Sequence, residues 1–248
     1  MKTFDFITSM SKAYYEKSGF RLVETFLKQF PEQYTLHIWT EDYPELPKND
    51  RIIQHNLNTN KFYNLFTLNV KKFKGRAKTS RMSIKVGVQY EASQILDGDV
   101  LVWLDADVYV TNPINSVFFD IVQPKQLANY MGQHHNSGPE TGFISYNRHH
   151  PEFVKFMNMF VEVYYSDKIY DLVPPVDTSA WWDVYKTMPK EYFYSVTRNS
   201  PLSHVFHVSE LRHWLGHAKG GIKSRDPKTI DKRAFHVIPR EKIANTLK

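Results

Sequence analysis

Val100-Leu101-Val102-Trp103-Leu104-Asp105-Ala106-Asp107-Val108-Tyr109-Val110 is the stretch that decides the fold. Its first five residues are too uniformly apolar to alternate between core and water, so they predict an interior strand covered on both faces. Asp105 and Asp107 then emerge at the carboxyl end of that strand. In extended chain, residues two apart point to one side, which aims both carboxylates at one point just beyond the sheet. Two such anions repel unless a cation or protons intervene. A hard divalent ion with oxygen ligands removes the repulsion and keeps positions open for further oxygens. The plainer reading is a turn whose aspartates cap the next helix. The second β-branched run, Val108–Val110, argues against a surface turn.

Upstream, FDFITSMS (Phe4–Ser11) predicts a first strand that delivers a loop to a ligand. RLVETFLKQF (Arg21–Phe30) places Leu22, Val23, Phe26, Leu27 and Phe30 on one helical face, and YTLHIWTEDY (Tyr34–Tyr43) predicts a second strand. Strand, helix, strand is a βαβ unit, and such units build parallel sheets whose ligands bind beyond the carboxyl ends of the strands. Residues 44–80 are polar and basic, with no strong period outside FYNLFTLNV, and are left open between a loop and a short helix. Ser83–Leu96 predicts a helix with Ile84, Val88 and Ile95 spaced for burial, ended by the turn Asp97-Gly98-Asp99. Downstream we expect a strand at Gly142–Tyr146, helices at Glu152–Tyr165 and Ala180–Lys186, and a strand at Val205–Val208. The expectation is one α/β domain over residues 1–248, with a mostly parallel central sheet flanked by helices. Residues 1–110 would bind the ligand, and 111–248 would supply the second half of the site.

The apolar share of 42%, with 10 Gly and 13 Pro, is that of a packed globular chain and excludes disordered and fibrous classes. The absence of cysteine excludes disulfides, thiolate metal sites and a Cys nucleophile, and leaves any metal to oxygen and imidazole ligands. The N-terminal residues lack an apolar signal core and no run is long enough to span a bilayer, so a soluble, cytoplasmic protein is expected. Net charge is +6, and Lys219–Lys248 alone holds nine basic and three acidic residues. Such a segment fits a nucleoside diphosphate, nucleic acid, anionic headgroups or plain solvation.

An apolar strand ending in Leu104-Asp105-Ala106-Asp107 resembles the GT-A glycosyltransferases, most closely the glycogenin and bacterial galactosyltransferase type family. That resemblance implies a single Rossmann-like GT-A domain, a UDP-sugar donor and Mn²⁺ or Mg²⁺. It places the donor nucleotide against Asp105 and Ala106 and makes Asp105 and Asp107 metal ligands. The family completes its metal site with the His of an H-x-x-G-x-x-K pattern, whose Gly and Lys meet the diphosphate. The pattern occurs here twice, starting at His213 or at His217, and Gly220-Gly221 favours His217, Gly220 and Lys223 because glycine permits a close backbone approach. The Pro-Trp that usually follows is replaced by Ser224-Arg225. Asp177, expected as a helix N-cap, matches a family Asp beside the donor sugar, and Glu140–Asn147 resembles the family's segment in which a small residue and Gly precede an apolar strand near donor and acceptor sugars; Asp177 and Glu140 are the catalytic candidates. Arg81 and Lys85, one helical turn apart, match its basic residues near the nucleotide. Thr8 and Ser9 fall where this fold receives the nucleoside, and Trp181 and Trp182 are candidates to stack on uracil or sugar.

The implied reaction moves a glycosyl group from a nucleoside diphosphate-sugar to a hydroxyl of a glycan, protein or lipid acceptor, with retention. Two other classes compete. Phosphatases of the haloacid dehalogenase type also place DxDx[TV] after an apolar strand, but on their first strand. A non-enzymatic carbohydrate- or nucleic-acid-binding protein would rely on the basic charge, but no aromatic-rich nucleic-acid motif is present, so nucleic acid is not expected as a partner.

Overall fold

A computed structural model describes residues 2–60, 62–63, 77–132, 139–197 and 205–218. Strand β1 (Phe4–Met10) leads through a helical turn α1 (Lys12–Tyr14) and a π-turn (Tyr15–Gly19) into α2 (Phe20–Gln29). Then follow β2 (Leu36–Thr40), β3 (Ile52–Asn56), the long helix α3 (Ala77–Ile95), β4 (Val100–Leu104) and the short β5 (Val108–Val110). The second half carries α4 (Ser116–Val122), β6 (Ala128–Gly132), β7 (Pro139–Asn147), α5 (Phe153–Tyr165), α6 (Asp177–Lys186), β8 (Phe193–Ser195), α7 (Val205–Val208) and β9 (Leu215–His217).

Seven strands form one sheet in the order β3-β2-β1-β4-β7-β6-β8, and β5 pairs with β9 in a separate two-stranded ribbon. The sheet is mostly parallel, with β7 running antiparallel to both β4 and β6. As the apolar run predicts, β4 is central and every residue in it is buried. Leu101 and Trp103 face a core shared with α3, α5 and α6, whereas Val100, Val102 and Leu104 face a core shared with α2 and α4. Full burial of each such side chain contributes roughly 1.5–3 kcal/mol. Both layers are rich in aromatics. Phe26 and Phe30 stack at 4.2 Å on one side, and Trp181 packs against Phe156, Tyr130 and Phe193 on the other.

Three local expectations need correction. Val205–Val208 is a helical turn and not a strand, because Phe206 turns fully into the core and stacks on His217; tertiary packing here overrides β-propensity. Ile95 is 54% exposed at the last turn of α3, where Leu96 packs against the core instead. The buried face of α3 includes Lys85, Gln89 and Ser93, polar residues that hydropathy assigns to solvent. Trp181 does not present a stacking face to a ligand either. It is wholly buried, and its Nε1–H donates to the Tyr146 hydroxyl at 3.0 Å.

The β5–β9 ribbon sets Gly216 opposite Tyr109, and a Cβ built on Gly216 would meet the Tyr109 ring at 2.4 Å. Gly216→Val is therefore expected to cost about 1–3 kcal/mol through overpacking, measured by urea denaturation.

Candidate active site

The carboxyl end of β4 gathers side chains from five elements. Asp105 leaves the strand with its N–H donated to the Gly142 carbonyl at 2.9 Å, so β7 fixes its backbone. Trp103, two residues earlier on the same face, donates its Nε1–H to Asp105 Oδ1 at 2.8 Å. Lys85 of α3 reaches the same oxygen at 2.6 Å, and its Nζ also lies 3.0 Å from Asp177 Oδ2 and 3.0 Å from Thr141 Oγ1. Thr141 donates to Asp177 Oδ2 at 2.5 Å and contacts the Thr178 hydroxyl at 3.1 Å. The ammonium thus meets three oxygens with its three donors.

A break in the sheet makes this possible. Tyr130 of β6 is opposite Ile144, but the next residue, Met131, is opposite Glu140, so Thr141–Phe143 have no register partner in β6. Strict alternation from Ile144 would send Thr141 toward the α2 core; the irregularity lets it meet Lys85 and Asp177 on the α3–α6 side. Gly142 lies in the same stretch, where an added Cβ would press on Phe206 at 3.1 Å and lie 3.5 Å from Asp105 Oδ2.

Asp107 is buried, and its Oδ1 lies 2.9 Å from His217 Nε2. The ribbon register brings these residues together, since Val108 is opposite His217 and the Ala218 N–H bonds the Asp107 carbonyl at 2.9 Å. Asp105, Asp107 and His217 each offer one ligand atom, all within 4.8 Å of one another. Two carboxylate oxygens and an imidazole are a donor set suited to a divalent ion that takes oxygen and nitrogen, and Mg²⁺ or Mn²⁺ fits it. His213, the alternative register, is elsewhere. Its ring packs edge-on to Trp214, and its carbonyl accepts from the Thr111 hydroxyl at 2.9 Å.

Electrostatics follow from the crowding. Desolvation pushes the Asp105 carboxyl above the ordinary carboxylate range, Asp107 and Asp177 add to the push, and Lys85 opposes it. Burial alone would disfavour the Lys85 ammonium, but Asp105 and Asp177 hold its pKa above the ordinary lysine value.

The remaining expected residues take different places. Asp177 is the first residue of α6 and not its cap; Val176 occupies the cap position without a side-chain bond, and the Asp177 carboxylate turns to Lys85. Ala106 is buried in the α2-side core. Glu140 is half-buried beside Thr141 at the same strand end. Arg81 is exposed one turn before Lys85 and acts on Glu41, lowering a carboxyl pKa that burial raises. Thr8 is fully buried, its Oγ1 without a hydrogen-bond partner among the described residues, and Ser9 is half-buried. Trp182 stacks on Tyr185 at 4.4 Å. Gly220 and Lys223 lie outside the described residues. Sequence reasoning missed Tyr14, whose hydroxyl donates to Asp107 Oδ2 at 2.9 Å, and the part played by Thr141.

No protein-family model matches this chain, and no curated protein matches it. Among solved structures, mouse xyloside xylosyltransferase 1 in its apo form aligns with a TM-score of 0.56 at 14% identity, over 90% of this chain and 99% of that one. A glycosyltransferase involved in glycosylation of the major capsid of PBCV-1 aligns with a TM-score of 0.49 at 14% identity, over 88% of this chain and 93% of that one. The chain has a glycosyltransferase fold of the GT-A-like kind. No helix among the described residues is long and apolar enough to cross a membrane.

Replacing Lys85 by Met leaves Asp177 buried and Asp105 half-buried without their cation, which costs roughly 3–5 kcal/mol at neutral pH. Asp105, already raised, rises further in the variant, so the folded variant binds a proton that the unfolded chain releases. The deficit relative to the parent should therefore shrink as pH falls from about 8 toward 5, as measured by urea denaturation at several pH values.

Proposed function

We propose that this chain is a metal-dependent glycosyltransferase that moves a sugar from a nucleoside diphosphate-sugar, most simply a UDP-sugar, to an acceptor hydroxyl with retention. The observation that carries this reading is the convergence of Asp105, Asp107 and His217 at the carboxyl end of β4, in a chain with a glycosyltransferase fold. Ligands of open α/β sheets bind at that end of the strands. Residues 1–110 are assigned to the donor and 111–248 to the acceptor side, within one domain. The absence of cysteine suits a cytoplasmic site of action.

Asp105, Asp107 and His217 would hold the ion, Mn²⁺ or Mg²⁺, which when bound supplies Lewis-acid stabilisation of the departing diphosphate. The chain's own residues do the rest. Lys85 keeps the Asp177 carboxylate aimed, so that it would offset the positive charge that grows on the anomeric carbon. Thr141 holds Asp177 from the other side and limits its rotation. Glu140, next along β7, would meet the acceptor. Ser9 and Thr8 receive the nucleoside at the end of β1, and Gly220 and Lys223 meet the diphosphate. A haloacid dehalogenase-type phosphatase is the weaker reading, because three strands among the described residues precede the one that leads into Asp105.

A thermal-shift screen of nucleoside diphosphate-sugars with and without Mn²⁺ tests the proposal. A donor at a hundredfold its Kd should add about 2.7 kcal/mol of stability, and EDTA should abolish the shift. Asp107→Ala should lose the metal-dependent shift while keeping its fold. Binding that survives EDTA and weakens uniformly with salt would instead mark a basic binding protein. NMR of the product's anomeric proton reports retention directly.

A further inference from the structure

The phenol of Tyr14 reaches the candidate metal site from 93 residues away and donates to Asp107 Oδ2 at 2.9 Å. The other oxygen of that carboxylate, Oδ1, lies 2.9 Å from His217 Nε2. The two oxygens are therefore divided, one toward the phenol and one toward the imidazole.

The chain on both sides of Tyr14 restrains this contact. Ser11 Oγ accepts the Tyr14 N–H at 3.2 Å, capping α1. The Lys12 N–H is held by Asp42 Oδ1, just past the end of β2. On the far side, the π-turn Tyr15–Gly19 carries the chain into α2, and Gly19 packs so closely under Met10 that a Cβ there would come within 2.6 Å of the sulfur. Such π-turns inside helical segments are frequent at functional sites. The Tyr14 ring is half-buried and packs against the core that also contains Ala106 and Val108. Position, ring packing and hydrogen bond all restrain the phenol.

A carboxylate with one oxygen engaged by a phenol meets a cation most simply through the other. Mg²⁺-like ions accept one oxygen per carboxylate in near-octahedral geometry, whereas Ca²⁺ takes more oxygens and often both from one carboxylate. Resting on the metal-dependent reading above, we propose that Tyr14 is a positioning residue that makes Asp107 a one-oxygen ligand through Oδ1 and so turns the site toward Mn²⁺ and Mg²⁺ and away from Ca²⁺. Partners that orient ligating carboxylates commonly matter by about 10–100-fold in metal affinity.

The test is isothermal titration of the full chain with Mn²⁺ and with Ca²⁺, without any sugar donor, for the parent, Tyr14→Phe and Asp107→Ala, each checked for thermal stability. Tyr14→Phe keeps the ring and removes the hydroxyl. Its Mn²⁺ affinity should fall by about 10–100-fold, and the ratio of Ca²⁺ to Mn²⁺ dissociation constants should narrow as Oδ2 becomes available. Asp42→Ala, which loosens α1 without touching a ligand, should move the same ratio the same way by a smaller factor, and it carries the test if Tyr14→Phe does not fold. Constants within twofold of the parent in both variants, with Mn²⁺ binding lost in Asp107→Ala, overturn the role of Tyr14 and leave the metal reading intact. A parent chain that binds no Mn²⁺ overturns the metal reading and this inference with it.

Discussion

One ammonium group, Lys85 Nζ, decides where the other groups of the site stand. It is buried and in contact with Asp105, Asp177 and Thr141, which come from β4 and its edge, from α6 and from β7. A buried ion pair is a weak source of stability, because the cost of desolvating the charges offsets their attraction. What the arrangement gives is placement. Removing the cation would leave two carboxylates facing apolar core and each other, so α3 and α6 are obliged to meet at this point on the sheet. The irregularity in β7 is a consequence of the same demand, since regular pairing through Thr141–Phe143 would carry the Thr141 hydroxyl to the wrong face.

Placement of His217 depends on a second, local device. The ribbon of β5 and β9 is short, but its register sets His217 opposite Val108 and beside Asp107. Gly216 allows the pairing to close over Tyr109, and Phe206 stacks on the imidazole with ring centroids 4.9 Å apart. An imidazole held between an aromatic ring and a carboxylate loses little rotational freedom when it accepts a ligand, which is how a rigid scaffold lowers the cost of binding. The helical turn at Val205–Val208, which β-propensity alone would make a strand, exists to supply that ring.

Much of this was legible in the residues. The unbroken apolar run Val100–Leu104 marked a central strand buried on both faces, and the spacing of Asp105 and Asp107 at its end pointed to the cluster they form with His217. Periodicity also found α2, α5 and α6. It failed where polar residues do the packing. Lys85, Gln89 and Ser93 line the buried face of α3, and a hydropathy pattern counts them as exterior. Asp177 carries the local signature of a cap, and only the tertiary position of Lys85 turns it inward. Tyr14 has no local signature, because its role arises from a contact with a residue far along the chain, and a single tyrosine after a strand does not encode its partner. Trp181 shows the reverse error: an aromatic that looked placed for a ligand is spent on the core.

Charge balance ties the described site to the rest of the sequence. Asp105 and Asp177 contact one buried ammonium, and Asp107 adds a third acidic group beside the His217 imidazole. On the proposed function, a divalent cation would offset this acidic crowding. The diphosphate of the proposed donor would bring further negative charge, for which cations outside the cluster would be needed. Arg81, exposed one turn before Lys85, is one. On the proposed function, the nine basic residues of Lys219–Lys248, which begin two positions after His217 in sequence, would be another. The uneven distribution of charge along a chain with a net charge of +6 is in keeping with the anionic donor proposed for it.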